Sequence, residues 1–270
     1  MKTKMKTKIK YLRVYSDLHL EFGAFKIEEL PTDKETLLVL AGDITVYPFS
    51  VFWFANLTRR FAHIIYVLGN HEHYHGNIAT TKNIIEQTFE AELFTNNYTV
   101  VDDPQQIKFD GFRFLAGTLW TDMDGDNPVT KSIVGRSMND YRLISNLEGT
   151  TLRPDDTIEK FKQTITKFEE LLTEPYDGKT YVVTHHLPSY AAIDKIYRSN
   201  ADKINGGYAS NLDEFILTYQ PEYWFFGHSH NSNNFKIGNT TLFSNSRGYA
   251  NKHGEPQNKN FDKIGLIELK

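Results

Sequence analysis

The sequence predicts an α/β layered domain, and three observations carry that prediction. Short apolar runs alternate with helical stretches along most of the 270 residues. The runs are near-continuous in apolar residues, as expected of strands buried on both faces. After Trp224, strands follow one another without helices, which points to a mixed sheet or to two sheets packed face to face.

The elements follow in order. Residues 11–16, 36–41 and 64–68 read as strands, with an apolar-rich helix over 49–61 between the last two. Residues 77–93 read as an amphipathic helix, because Ile78, Ile85, Phe89 and Leu93 fall near helical spacing. Strands follow at 98–101, 106–109 and 112–118. A second long helix spans 155–173, with Asp155 and Asp156 at its start, where carboxylates suit the helix dipole. Strands at 180–184 and 223–226, a hairpin around Gly238 and Asn239, and a last strand at 264–269 complete the pattern. Residues 121–153 are polar and carry no clear period; they read as a long excursion over the surface of a single domain spanning 11–270.

Composition narrows the function. Forty percent of residues are apolar and 14% aromatic, enough for a sizeable core and too much for a disordered chain. There is no cysteine, which excludes thiolate zinc sites, iron–sulfur clusters and cysteine nucleophiles. Ten histidines are present, so any metal site must use nitrogen and oxygen donors. Net charge is −4, and residues 1–10 hold five lysines, leaving 25 basic against 34 acidic residues. Residues 1–10 read as a frayed, solubilising terminus. The acidic remainder disfavours nucleic acid as a partner, since such binding rests on many Lys/Arg–phosphate contacts. No run approaches eighteen apolar residues, so no membrane partner is expected. Tyr11, Arg13, Ser16 and Asp17 interrupt any secretory apolar segment, and a cytoplasmic location is expected.

Five apolar runs end alike. Each is followed by a small residue and then by potential ligands: Asp17 and His19; Asp43; Asn70 with His71 and Glu72; His185 and His186; His228 and His230. A small residue lets the backbone turn sharply and approach a site closely. Open α/β sheets bind ligands at the carboxyl ends of their strands, so these five ends predict one convergent cluster. Extended i, i+2 pairs point to one side, so Asp17/His19 and His228/His230 can each deliver two ligands. Carboxylate, imidazole and amide donors suit Mn²⁺, Fe, Zn²⁺ or Co²⁺ more than Ca²⁺. Two such ions roughly 3.5–4 Å apart clamp both oxygens of an in-line displacement. Residues 122–126 are acidic, but a calcium loop needs Gly at 127 and Glu at 133, where Asn127 and Ile133 stand.

The ordered segments D-x-H, G-D, G-N-H-E, T-H-H-x-P and G-H-x-H, between Asp17 and His230, resemble the calcineurin-like metallophosphoesterase superfamily. Residues around Asn245 to Tyr249, and Asn139-Asp140-Tyr141-Arg142, are similar to a bacterial branch of phosphohydrolases. The resemblance implies a four-layer α/β/β/α sandwich with two mixed β-sheets. It implies that Asp17, His19 and His230 bind one metal, that Asn70, His185 and His228 bind a second, and that Asp43 bridges them. His71 then faces the substrate as general acid or transition-state stabiliser. The cofactor expected is a pair of divalent or transition ions, Mn²⁺ favoured, and the mechanism is in-line attack by a metal-bridging hydroxide.

Departures sharpen the substrate. Protein-phosphatase members carry G-D-x-V-D-R-G and R-G-N-H-E, but here Asp43 is followed by Ile44-Thr45-Val46-Tyr47, and Leu68 precedes Gly69. Both motif arginines are missing, as is the aspartate that orients the catalytic histidine. A phosphodiester or nucleotide-type substrate is therefore favoured over a phosphoprotein. A small-molecule phosphomonoesterase and a nuclease are the enzymatic alternatives, and a non-catalytic scaffold would be expected to have lost ligands. Arg142, His186 and Tyr74 are substrate-side candidates, with Tyr190, Tyr208 and Tyr249 on the rim. Glu72 is expected to organise its loop, and His73 and His75 to stand at the rim.

Overall fold

The computed structural model describes residues 9–46, 51–92, 95–109, 111–198 and 203–269. Most of the basic terminus, the first two residues of the helix expected at 49–61, and Leu93 lie outside them. The elements are β1 (Tyr11–Tyr15), β2 (Thr36–Ala41), α1 (Val51–Arg60), β3 (His63–Val67), α2 (Thr81–Glu92), β4 (Tyr98–Val101), β5 (Gln105–Phe109) and β6 (Phe112–Ala116). Then come α3 (Met123–Asp126), α4 (Pro128–Ser137), α5 (Asp140–Leu143), α6 (Pro154–Thr173), β7 (Lys179–Val183), α7 (Asp213–Tyr219), β8 (Tyr223–Phe225), β9 (Ser232–Ile237), β10 (Thr240–Asn245) and β11 (Leu266–Glu268).

Two mixed sheets form, in the orders β11-β1-β2-β3-β4 and β5-β6-β7-β8-β10-β9. Strands β1 to β4 run parallel, with β11 antiparallel on the edge. Strands β6, β7, β8 and β10 run parallel between antiparallel β5 and β9. Alternation along each strand assigns its two faces. Leu12, Val14, Val39 and Ile65 meet Phe114, Tyr181 and Phe225 between the sheets. On the outer face of the first sheet, Leu38, Leu40, Ile64 and Tyr66 pack on Phe54 of α1 and Phe89 of α2. On the outer face of the second, Leu115, Val182 and Trp224 pack on Phe161 and Phe168 of α6 and Ile216 of α7. The layer order is thus α/β/β/α.

The long excursion is more structured than its polar sequence suggests. It folds into α3, α4 and α5 around its own cluster of Met123, Val134, Tyr141, Ile144 and Leu152, which also takes in Trp120, Tyr74 and Ile158. Asn127 caps α4 by accepting from Val129 and Thr130 N–H, and Pro128 stands at its first position. Elements of four to ten residues are too short to print a clear period. The acidic residues are neutralised locally: Asp124 pairs with Lys203 and Asp126 with Lys131, both at 2.6 Å. Helix α7 has no sequence-based counterpart for the same reason, since its one fully buried side chain is Ile216.

His63 opens β3 in an apolar setting, with Nε2 2.9 Å from Thr99 Oγ1. Burial lowers its pKa to about 4. The folded protein therefore keeps the ring neutral while the unfolded chain protonates near 6.5, so stability falls as pH drops from about 6.5 toward 4. His63→Gln should remove up to about 3 kcal/mol of that acid sensitivity. Urea midpoints of both proteins between pH 4 and 7 check this; parallel curves would refute it.

Candidate metal centre

Five strands deliver the site. The carboxyl ends of β1, β2 and β3 in one sheet face those of β7 and β8 in the other. Each chain turns sharply there. Asp17, His19, Asp43, His228 and His230 all have positive φ, between 45° and 70°. Such backbone costs roughly 1–3 kcal/mol per residue and persists only where surrounding structure enforces it. The small residues allow close approach. A Cβ on Gly42 would stand 2.2 Å from His185 Nδ1, and one on Gly69 would stand 2.2 Å from Asp43 Oδ1.

Three groups of ligand atoms lie within 4.8 Å of one another: Asp17/His19/His230, His19/Asp43/His71 and Asp43/His185/His228. Asp43 and His19 each belong to two of them. Asp43 Oδ1 lies 3.4 Å from His185 Nε2, and Oδ2 lies 3.8 Å from His19 Nε2 and 3.9 Å from His71 Nε2. His230 Nε2 is 3.0 Å from His19 Nε2 and 3.7 Å from Asp17 Oδ1. Asp17 also accepts from His228 N–H at 2.9 Å, tying the first and last strand ends together.

The donor set fits a metal. His228 Nε2 is buried with no hydrogen-bond partner, and burial beside His186 and His185 holds its pKa well below the usual range. A neutral, unpartnered imidazole nitrogen grouped with Asp43 and His185 is a ligand in waiting. His185 Nδ1 lies 2.9 Å from Ala41 O, which leaves Nε2 facing Asn70 Oδ1 at 3.0 Å.

Residues around these groups orient them. Asn70 Nδ2 donates to Asp140 Oδ1 at 2.8 Å, turning the amide oxygen inward. The Tyr74 hydroxyl donates to the same oxygen at 2.8 Å. Glu21 lies 3.0 Å from His19 Nδ1 and 3.4 Å from His71 Nδ1, beyond good hydrogen-bond geometry in the second case. It stands where the sequence left the orienting group of His71 unassigned. Burial lowers the His71 pKa, but the Asp43 charge and the Glu21 carboxylate outweigh it and raise the ring to about 9. Glu72 is buried and accepts from the N–H groups of Ile44 and Gly69 at 2.7 Å, Asp43 at 3.0 Å, and the Tyr66 hydroxyl at 2.8 Å. Arg247, also buried, donates to Leu18 O and Gly23 O at 2.8 Å and so holds the turn carrying His19 and Glu21.

A cleft of about 600 Å³ opens over the cluster, lined in part by Asp43, Asn70, His71, His228 and His230. Tyr74, Tyr208 and Tyr249 line it, as the sequence suggested. Other candidates lie elsewhere. Arg142 does not line the cleft; it is exposed, and its guanidinium donates to Asn139 Oδ1 at 2.7 Å, within its own helical turn. The buried neighbour Asp140 reaches the site, and Asn139 of the same motif also lines the cleft. His186 is buried behind the cluster, its ring 5.0 Å from Trp120 and Nδ1 3.3 Å from Thr118 O. His73 is fully buried, 3.4 Å from Asp102, rather than at the rim. Tyr190 packs against the outer core of the second sheet.

The family model for calcineurin-like phosphoesterases matches residues 12–232, which include every strand end of the cluster. The chain belongs to the calcineurin-like phosphoesterase family. It is accordingly a metal-dependent phosphoester hydrolase. A relative in Acanthamoeba polyphaga mimivirus, the uncharacterized protein L509, is 24% identical over 97% of both chains. The crystal structure of phosphopantetheinyl hydrolase from Mycobacterium tuberculosis superposes with a TM-score of 0.70 at 15% identity, covering 97% of this chain and 96% of that one. That likeness is one of fold. Among the described residues, no helix is long and apolar enough to cross a membrane.

Proposed function

We propose that the protein hydrolyses a phosphodiester of nucleotide type at a centre of two divalent ions, with Mn²⁺ favoured. The observation that carries the reading is the sharing of Asp43. Its two oxygens face opposite ligand groups, Oδ1 toward His185 and Oδ2 toward His19. Asp17, His19 and His230 would hold one ion, and Asn70, His185 and His228 the other, with Asp43 between them. When bound, such ions supply an activated water near neutral pH and neutralise charge on the phosphoryl oxygens.

The chain's own groups do the rest. Asp140 presents the Asn70 amide oxygen, a neutral donor that leaves the ions more electrophilic than a further carboxylate would. His71 lines the cleft with Nδ1 toward Glu21, so Nε2 carries the proton offered to the leaving oxygen. Glu21 beside Nδ1 and Asp43 beside Nε2 fix the ring in that orientation, as a general acid requires. The diester preference rests on the missing phosphatase arginines and on Arg142, whose guanidinium is turned away from the cleft. A bidentate receptor for a monoester dianion is therefore absent among the described residues lining it.

The test is direct. Purified protein loaded with Mn²⁺ should bind two ions per chain and hydrolyse bis-p-nitrophenyl phosphate faster than p-nitrophenyl phosphate. His71→Ala should slow turnover by about 10²–10⁴-fold with metal content unchanged. Loss of one ion instead would make His71 a ligand. Absence of activity on both esters would end the catalytic reading.

A further inference from the structure

The walls of the cleft carry information that the metal cluster does not. None of the described residues lining it is a lysine or arginine. Three are aspartates: Asp43, Asp140 and Asp194. Two cations, Lys195 and Arg198, line an adjoining groove of about 270 Å³ that shares Ile193, Asp194 and Asn231 with the cleft. Arg198 is already engaged, donating through Nε to Ile193 O at 2.6 Å and through Nη2 to Ala191 O.

The rim is aromatic instead. Tyr197 and Tyr249 both line the cleft and remain 59% and 41% exposed. Exposed aromatic rings beside a catalytic cleft offer flat apolar area to a ligand ring. Ile193, Ile204 and Met138 continue that surface.

We propose that the cleft selects a phosphodiester with a single anionic centre, whose uncharged nucleoside portion lies on the tyrosine rim, and that it rejects substrates bearing a further phosphate. The metal centre accounts for one phosphoryl group. A second phosphate would enter a cleft whose described walls beyond the metal cluster offer Asp194 and no lysine or arginine, an arrangement that disfavours binding. Stacking on tyrosine tolerates any base, so the selection is for an uncharged ring rather than for one sequence. This specificity rests on the hydrolytic reading above, and the experiment separates the two.

Three p-nitrophenyl diesters are compared with the Mn²⁺-loaded protein: methyl, thymidine 5′-, and thymidine 5′- bearing an additional 3′-phosphate. The thymidine diester should exceed the methyl diester in kcat/KM by about tenfold or more. The 3′-phosphate should reduce kcat/KM by about tenfold. Equal rates for methyl and thymidine diesters, or a preference for the 3′-phosphate, would overturn the proposal while leaving the hydrolase intact. Tyr197→Ala should lower the thymidine-to-methyl ratio by about tenfold, and an unchanged ratio would remove the ring from the site. If no diester is cleaved, the hydrolytic reading fails, and equilibrium binding still decides the specificity. Thymidine 3′,5′-bisphosphate should then bind no tighter than thymidine 5′-monophosphate, and tighter binding by tenfold would refute the single-anion limit.

Discussion

Asp43→Asn is expected to reduce hydrolysis of a phosphodiester on the order of 10³-fold or more while leaving the fold intact. Asp43 is buried and belongs to two of the three ligand groups. An amide offers one oxygen in place of two and turns an N–H₂ toward His185 or His19. The charge that holds the histidines around it is lost as well. The backbone of the loop should survive, because its N–H groups are held by Glu72 rather than by the Asp43 side chain. Kinetics on bis-p-nitrophenyl phosphate, metal content and circular dichroism together check the outcome. Activity within tenfold of wild type at full metal content would remove Asp43 from the bridging position.

Glu72→Ala is expected to have the largest effect on stability. The Glu72 carboxylate is the shared acceptor for three backbone N–H groups of two neighbouring strand ends and for the Tyr66 hydroxyl. Alanine leaves these donors buried and unmatched, at roughly 1–3 kcal/mol each. A net loss of at least about 3 kcal/mol is expected, a large part of the stability of an ordinary domain. Urea denaturation of the metal-free proteins measures it directly. Glu72→Gln retains one acceptor oxygen and should fall between the two. A midpoint for Glu72→Ala indistinguishable from wild type would show that water or relaxation replaces the carboxylate.

Much of this site was legible before folding. Asp17, His19, Asp43, Asn70, His71, His185, His228 and His230 each follow an apolar run, and the structure brings all eight within one cluster. The reason is physical: buried parallel strands leave a continuous apolar signature, and their carboxyl ends must emerge on one edge. Gly42 and Gly69 were legible too, since the only conformations and contacts available there exclude a Cβ.

Other features were settled by partners distant in sequence. Glu21 follows Asp17 and His19 at the same two-residue spacing, but the sequence reading did not single it out, because its role depends on His71 arriving from β3. Asp140 lies 70 residues from the Asn70 amide it turns. Arg142 was the charge worth watching in that motif, but one helical turn presents Asp140 inward and leaves Arg142 in solvent. The sequence by itself determined the layered α/β class, the ligand-bearing strand ends and the absence of thiolate chemistry. These follow from composition and local periodicity. Tertiary structure alone decided which polar groups orient the ligands, how the 121–153 segment packs, and that no lysine or arginine stands among the described residues lining the cleft. Those properties depend on which side chains meet across the two sheets, and no local pattern records that pairing.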